Sequence, residues 1–477
     1  EPRDAAALAV GTAGSAVVFA GTTVIIALVS LTVVGVPVVT KMGLAAAAAV
    51  ALAVLVAITL IPALLGFFPR AVLSRKARRS TQRQAGRPNL GSRWAGLVLR
   101  YPLAVLLLAA AVLGAIAVPA THLRLGTAGN ATLPTSDTGR RAYDEISTAF
   151  GPGFNGPLTI AVTTKGTASP AQAASAVAQK IAATPGIVAV SQPTVDAAGD
   201  VAVFTAVPAT APDAQQTTTT VSALRAERPA IARATGASYL VTGLTASNID
   251  TASKVGSALL PYILAVVGLA FLLLLAVFRS VLVPLKATLG FVLSLLAALG
   301  AVVAVFQWGW LGSILGVPAT GPVQPFLPIF VVGIAFGLAM DYEVFLVSRI
   351  REAYAHGEEP RPAVISGFRH SARVVVAAAV IMISVFAGFV TSTQPLVKMI
   401  GFGLAAAVLF DAFVVRLTLV PAVLALLGKH AWWLPRWLGR ILPRVDIEGT
   451  TLERRSPRSE ISPLEKEPAR QGPMPGR

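Results

Sequence analysis

Asp341 and Tyr342 lie inside the apolar run 325–352, PFLPIFVVGIAFGLAMDYEVFLVSRIRE, which carries an acid in its interior and ends at two arginines. On a helix Gly333, Gly337, Asp341 and Phe345 recur every four positions, so two glycines precede the carboxyl on one face. An ionised Asp near the middle of a bilayer costs about 2.5–3.5 kcal/mol on insertion scales. That cost directs the side chain to a bundle interior or to water, where a carboxyl supports proton or ion relay. Tyr342 stands about 100° further round the helix and can donate a phenolic hydrogen bond to a carboxylate on a neighbouring helix. A buried Asp that only hydrogen-bonds a partner helix is the plainer reading of the same residues.

Other charged residues interrupt apolar sequence. Glu343 points about 160° away from Asp341 and is either a second polar contact or a group facing another cavity. Asp411 lies near the middle of the last apolar stretch with Arg416 five residues on, about 140° round an α-helix, so each is expected to bond a different helix. Both a structural ion-pair role and a proton-path role are open to them. Phe345, one turn below Asp341, either seals a relay or packs ordinarily. Gly333 and Gly337 are expected to serve close helix packing, which would also bring a partner within reach.

The elements that must hold these groups are membrane spans. The chain has 477 residues, of which 55% are hydrophobic and 13% charged. Eight apolar windows of spanning length occur, near 9–33, 42–67, 101–121, 257–278, 284–306, 325–348, 372–392 and 400–427. The net charge of +17 resides in short loops: residues 70–100 hold nine Lys/Arg and no acid, whereas 122–254 holds nine basic and eight acidic residues. Arg279 and Lys286 are read as a loop between the fourth and fifth spans. If all eight stretches cross, every basic loop falls on one side, the cytoplasm. That distribution speaks for topology and against a nucleic-acid surface, although the run 70–100 could also meet anionic lipid head groups.

Between the third and fourth spans the chain changes character. Short β-type runs (159–164, 187–191, 201–207, 238–242) alternate with helical stretches (171–183, 217–234), which predicts a small extracytoplasmic α+β domain of two βαβ-like units over 122–255. The expected organisation is thus 1–69 two spans, 70–100 a basic cytoplasmic linker, 101–121 one span, 122–255 the α+β domain, 256–428 five spans, and 429–477 a cytoplasmic, largely disordered tail. The absence of Cys and the four scattered His exclude thiol chemistry and give no metal-ligand spacing. No P-loop and no nucleophile–base constellation occur, so the reading is of a non-enzyme without a cofactor.

The first two spans parallel the last two. Lys41-Met42 matches Lys398-Met399, and Thr59-Leu-Ile-Pro62-Ala matches Thr418-Leu-Val-Pro421-Ala, at offsets of 357 and 359. Such self-similarity indicates two parallel halves of six spans each, with the first half beginning here at its fifth span; about 260 residues would then precede Glu1. The chain is accordingly expected to be a piece of a longer protein.

Several of these segments, GLAMDYEVFLVSRIRE (337–352), LRLG (123–126), AYDEISTAFGPGFNGPL (142–158), GLTASNID (243–250) and DAFVVRLTLVPAV (411–423), resemble the MmpL family of actinobacterial transporters within the resistance-nodulation-division (RND) superfamily. The resemblance covers nearly the whole chain except the tail. It implies a multi-pass plasma-membrane protein of twelve spans with two extracytoplasmic porter domains, exporting lipids or other hydrophobic molecules by the proton gradient. In that family two Asp-Tyr pairs form the relay; Asp341 and Tyr342 match the tenth-span pair, an aromatic occupies the position of Phe345, and the fourth-span pair has no counterpart here. Membrane lipids, a hydrophobic substrate and protons are the implied partners, and homo-oligomer and monomer are both open. A non-transporting scaffold or lipid sensor is the competing class, and an ATP-driven permease subunit ranks behind it.

Overall fold

The computed structural model of the chain describes residues 14–67 and 90–442. Among these residues, runs of Ala, Leu, Val and Ile, with proline at the first turns of several segments, make eight helices long and apolar enough to cross a bilayer. Along the chain these begin with α1 (Ser15–Val29, continued as a 3-10 turn over Ser30–Val34) and α2 (Pro37–Phe67). An amphipathic helix α3 (Leu90–Arg100), within the stretch read as basic linker, precedes the third span α4 (Pro102–Ala117).

The chain then changes from apolar helices to a mixed segment of helices and strands. After α5 (Thr138–Phe150) come β1 (Leu158–Thr163), α6 (Pro170–Ala182), β2 (Ile187–Val190), β3 (Thr194–Val195), β4 (Val201–Pro208), α7 (Gln215–Thr235) and β5 (Ser238–Thr242). The sheet runs β2-β4-β1-β5 with β3 also on β4, and all its pairings are antiparallel. β1 and β2 are therefore parallel to each other with β4 between them, and β4 and β5 flank β1 in the same way, so each β-α-β unit is split by one strand of the other. Alternate residues of β1 and β4 (Leu158, Ile160, Val162; Ala202, Phe204, Ala206) turn inward on Val177, Ile181 and Leu224 of the helices, the period-2 burial of a one-sided sheet.

From β5, Gly243 at φ 99° turns the chain into α8 (Leu244–Phe278), a single helix of 35 residues. At 1.5 Å per residue it extends about 52 Å, enough to run from the α+β domain through a whole bilayer without a joint. The fourth span is thus longer than its apolar stretch. The remaining helices are α9 (Leu282–Val302), the one-turn α10 (Gly312–Leu315), α11 (Leu327–Ala355), α12 (Pro360–Val390), and a last span built from α13 (Pro395–Leu409), a π-helical segment Phe410–Leu419, and α14 (Val420–Leu427). After a 3-10 turn, α15 (Arg436–Ile441) follows; Arg279 donates to the carbonyls of Gly439 and Leu442, docking this segment under α8. Order therefore continues past 429, and 443–477 lie outside the described residues, as do 1–13 and 68–89.

α9 and α11 are buried over most of their length and form the centre of the bundle, while α2, α4 and α12 present long apolar faces outward. The connections fall into two groups. Arg279, Ser280 and the segments near 354 and 431–442 gather at one end, where Ser280 donates to the Ala431 carbonyl and Tyr354 stacks on Trp432. At the other end Gln307 donates to the His122 carbonyl, the Gly126 amide donates to the Val323 carbonyl and the Val323 amide to the Arg124 carbonyl, and Lys398 donates to the Leu315 and Gly316 carbonyls.

One assignment from the sequence needs correction here. Lys286 is not a loop residue: it lies in the second turn of α9 with its side chain 7% exposed. A single lysine at the edge of an apolar run reads as a terminus when its partner, on another helix, is unknown.

A buried charged network as candidate functional site

The chemistry collects where α9, α11 and the π segment meet. Lys286 Nζ donates to Glu343 Oε1 at 2.6 Å. The other oxygen, Glu343 Oε2, receives Arg416 Nη1 at 3.5 Å, and Arg416 also donates through Nε to Asp411 Oδ2 at 2.5 Å and through Nη2 to Asp411 Oδ1 at 3.4 Å. Glu343, Asp411 and Arg416 are buried, and only 7% of the Lys286 side chain is exposed. Among the described residues the cluster holds two cations and two anions, so it carries no net charge. Charges taken out of water persist only when so matched.

Arg416 does reach another helix, through Glu343 of α11, but its pairing with Asp411 overturns the expectation that these two residues are poorly placed to meet. That expectation assumed α geometry, in which residues five apart diverge. Residues 410–419 form a π-helix, whose i→i+5 backbone bonds place residues five apart one above the other. The Thr418 hydroxyl follows the same interval, donating to the Phe413 carbonyl. Trp94 of α3 donates its indole N–H to the Leu417 carbonyl at 2.9 Å, fastening the same segment from the side of the amphipathic helix.

Tyr342 adjoins the network. Arg416 lies over its ring, 5.8 Å from the centroid, within cation–π range. Tyr342 and Asp411 also line one small cavity together with Ser294 of α9 and apolar residues including Phe291 and Leu338. Its volume of about 10 Å³ is close to what a single water molecule needs. Asp341 occupies the position before Tyr342 in α11, and its side chain lies outside the described residues. Phe345 is half-buried on the same helix.

The two glycines have separate neighbours. A Cβ at Gly333 would come within 2.7 Å of the Tyr262 hydroxyl on α8, and one at Gly337 within 2.6 Å of Val24 Cγ2 on α1. Each lets a different helix close on α11. A third close approach was not singled out from the sequence: a Cβ at Gly290 would meet Val415 Cγ1 at 2.6 Å, so this glycine admits the π segment to α9. Lys286, Gly290 and Ser294 recur every four residues, and that polar and small stripe on an otherwise apolar helix is the signal by which the α9 side could have been found.

Comparison with known proteins places this architecture. The model of the MMPL family matches residues 1–105 and 132–446. The membrane protein YdfJ of Bacillus subtilis is 42% identical over 453 residues, covering 95% of this chain and 62% of that protein. The mycolic acid-containing lipids exporter MmpL11 of Mycolicibacterium smegmatis is 39% identical over 456 residues, 94% of this chain and 48% of its own length. The heme uptake protein MmpL11 of Mycobacterium tuberculosis H37Rv is 39% identical over 457 residues, 94% of this chain and 47% of that protein. The chain thus spans less than two thirds of the relatives it matches. On the family match and the eight apolar helices among its described residues, this chain belongs to the MMPL family and is a multi-pass protein of the plasma membrane.

Proposed function

We propose that the chain is the working part of a proton-driven exporter of lipids or other hydrophobic small molecules, with Asp341 and Tyr342 as its intramembrane proton relay. The observation that carries this reading is the neutral cluster Lys286–Glu343–Arg416–Asp411 buried in the bundle beside Tyr342. A helix bundle that only spans or scaffolds a membrane does not need four ionisable groups at its centre, and such groups mark ion and proton paths. The cluster balances its own charges, so a proton exchanged at position 341, on the next residue to Tyr342, changes the local charge by one full unit. One proton crossing 100 mV supplies about 2.3 kcal/mol, comparable to the cost of a charge at the bilayer midplane. A water in the Tyr342–Ser294–Asp411 cavity would extend the hydrogen-bonded path.

In this reading the α+β domain is a porter domain, and α8, continuous from that domain into the bundle, transmits movement between them. The two parallel halves read from the sequence provide the elements that rock. The lipid reading draws on the relative named as an exporter of mycolic acid-containing lipids.

The test is Asp341→Asn in the protein as its gene encodes it. Outward movement of a fluorescent phospholipid in energised membrane vesicles, and the proton uptake that accompanies it, are expected to disappear while the amount of protein in the membrane stays unchanged. Export at the wild-type rate by this variant removes the relay role.

A further inference from the structure

Lys286 is given no step of its own in the relay proposed above, yet it holds Glu343 at 2.6 Å in the same network. We infer that Lys286 is a positioning residue: by neutralising Glu343 it leaves Arg416 committed to Asp411, and so sets the charge state of the wall that Tyr342 and Asp411 share. The functional meaning of that wall rests on the relay reading; the placement of Arg416 does not.

The distances carry the argument. Arg416 stands between two carboxylates, with Nε 2.5 Å from Asp411 and Nη1 3.5 Å from Glu343. The asymmetry has a visible cause, since Glu343 already receives Lys286 at 2.6 Å and its remaining demand for a donor is small. A guanidinium offers five N–H donors in a fixed fork, so one Arg can serve both acids and will lean to the one in greater need. Without the lysine ammonium, Glu343 is a buried anion whose nearest cation among the described residues is that same guanidinium. A movement well under 1 Å brings Nη1 from a long contact into ordinary hydrogen-bond range, at the expense of the Asp411 bond. The geometry that permits this sharing is specific to the segment. The π-helix stacks Asp411 under Arg416, and Gly290, one turn along α9 from Lys286, lets Val415 approach so that Arg416 reaches the level of Glu343.

The groups facing the acids come from three elements: Lys286 and Ser294 from α9, Tyr342 and Glu343 from α11, and Asp411 and Arg416 from the π segment. Position 341 lies on α11 beside them.

The experiment reads carboxyl reactivity site by site and requires no transport. Dicyclohexylcarbodiimide, an apolar reagent, modifies carboxyl groups inside membranes through their protonated form, and a carboxylate held by an arginine is protected. Peptide mass spectrometry after treatment of the protein in native membranes reports Asp411 and Glu343 separately. In Lys286→Met, labelling of Asp411 is expected to rise about tenfold or more, the change produced by losing one hydrogen bond to a charged group. Glu343 stays protected by the arginine it has gained. Lys286→Arg keeps Asp411 protected, and Lys286→Met combined with Glu343→Gln restores protection, because Glu343 then no longer competes for Arg416 as an anion. A purely structural role for the lysine stem predicts that the combined variant labels like the single one. If Lys286→Met does not accumulate, Lys286→Gln, which keeps a polar end and loses the charge, is read in the same way. Unchanged labelling of Asp411 in the charge-removed variant, a new label on Glu343 instead, or failure of Glu343→Gln to restore protection each overturns the assignment. Loss of the relay reading through a fully active Asp341→Asn leaves this labelling pattern standing, so the two failures are told apart.

Discussion

Replacing Arg416 by Met keeps most of the volume of a side chain that is 2% exposed and removes its charge. Asp411, 6% exposed, then loses contacts of 2.5 and 3.4 Å to one guanidinium, and no other described cation takes them over. Glu343 loses only a 3.5 Å contact and retains Lys286. Of these two described carboxylates the substitution therefore orphans one. Hydrogen bonds to charged groups are worth about 1.5–3 kcal/mol each, and removing one partner of a buried pair costs about 3–5 kcal/mol in total. The expected loss is about 3–5 kcal/mol at neutral pH, large against ordinary surface changes. Asp411→Asn added to Arg416→Met removes the orphaned charge, and about 1–3 kcal/mol should return as a coupling energy between the two positions. Reversible unfolding of the purified protein in lipid bicelles with added SDS, run for the wild type, both single variants and the double, measures this cycle. A single Arg416→Met variant within about 1 kcal/mol of wild type, or a double variant less stable than that single, would refute the argument that these two side chains compensate each other.

Two smaller predictions concern other contacts. Gly337→Ala places a Cβ 2.6 Å from Val24 Cγ2, so α1 and α11 must part or Val24 must turn; the expected cost is about 1–3 kcal/mol in the same assay, and Val24→Ala in the same molecule should relieve most of it. In the α+β domain the Val201 amide donates to Asp196 and holds that carboxyl below its ordinary range. A depressed carboxyl contributes stability that is present above its unfolded pKa and is lost as pH falls through the folded one. Asp196→Ala should therefore lower the melting temperature at pH 7 and show a shrinking difference from wild type as the pH drops below 3.8, the ordinary value for the group. A difference that persists undiminished at low pH would exclude the charged hydrogen bond as its source.

How far the site could be read in advance depended on which geometry each inference assumed. The four-residue spacing of Gly333 and Gly337 was legible because α11 is an ordinary helix, and both glycines do admit close neighbours, though on two different helices. Glu343 was left between two roles, and the structure gives it Lys286 and Arg416 as partners. Asp411 and Arg416 were separated by angular arithmetic valid for 3.6 residues per turn and invalid for the ten-residue π segment that contains them. Lys286 was assigned to the surface by a rule about loops, because nothing local distinguishes a lysine at a span's end from one a turn inside it.

Sequence alone determined the membrane class, the eight apolar stretches and four of the five strands of the α+β domain, β3 being missed. Hydrophobic burial and period-2 alternation accumulate residue by residue along a segment, so a local window contains the whole signal. Only the tertiary structure decided the charged centre. Its four members come from three elements, with Glu343 lying 57 positions from Lys286 and 73 from Arg416, and a salt bridge in a low-dielectric interior is defined by distances between helices that no segment encodes by itself.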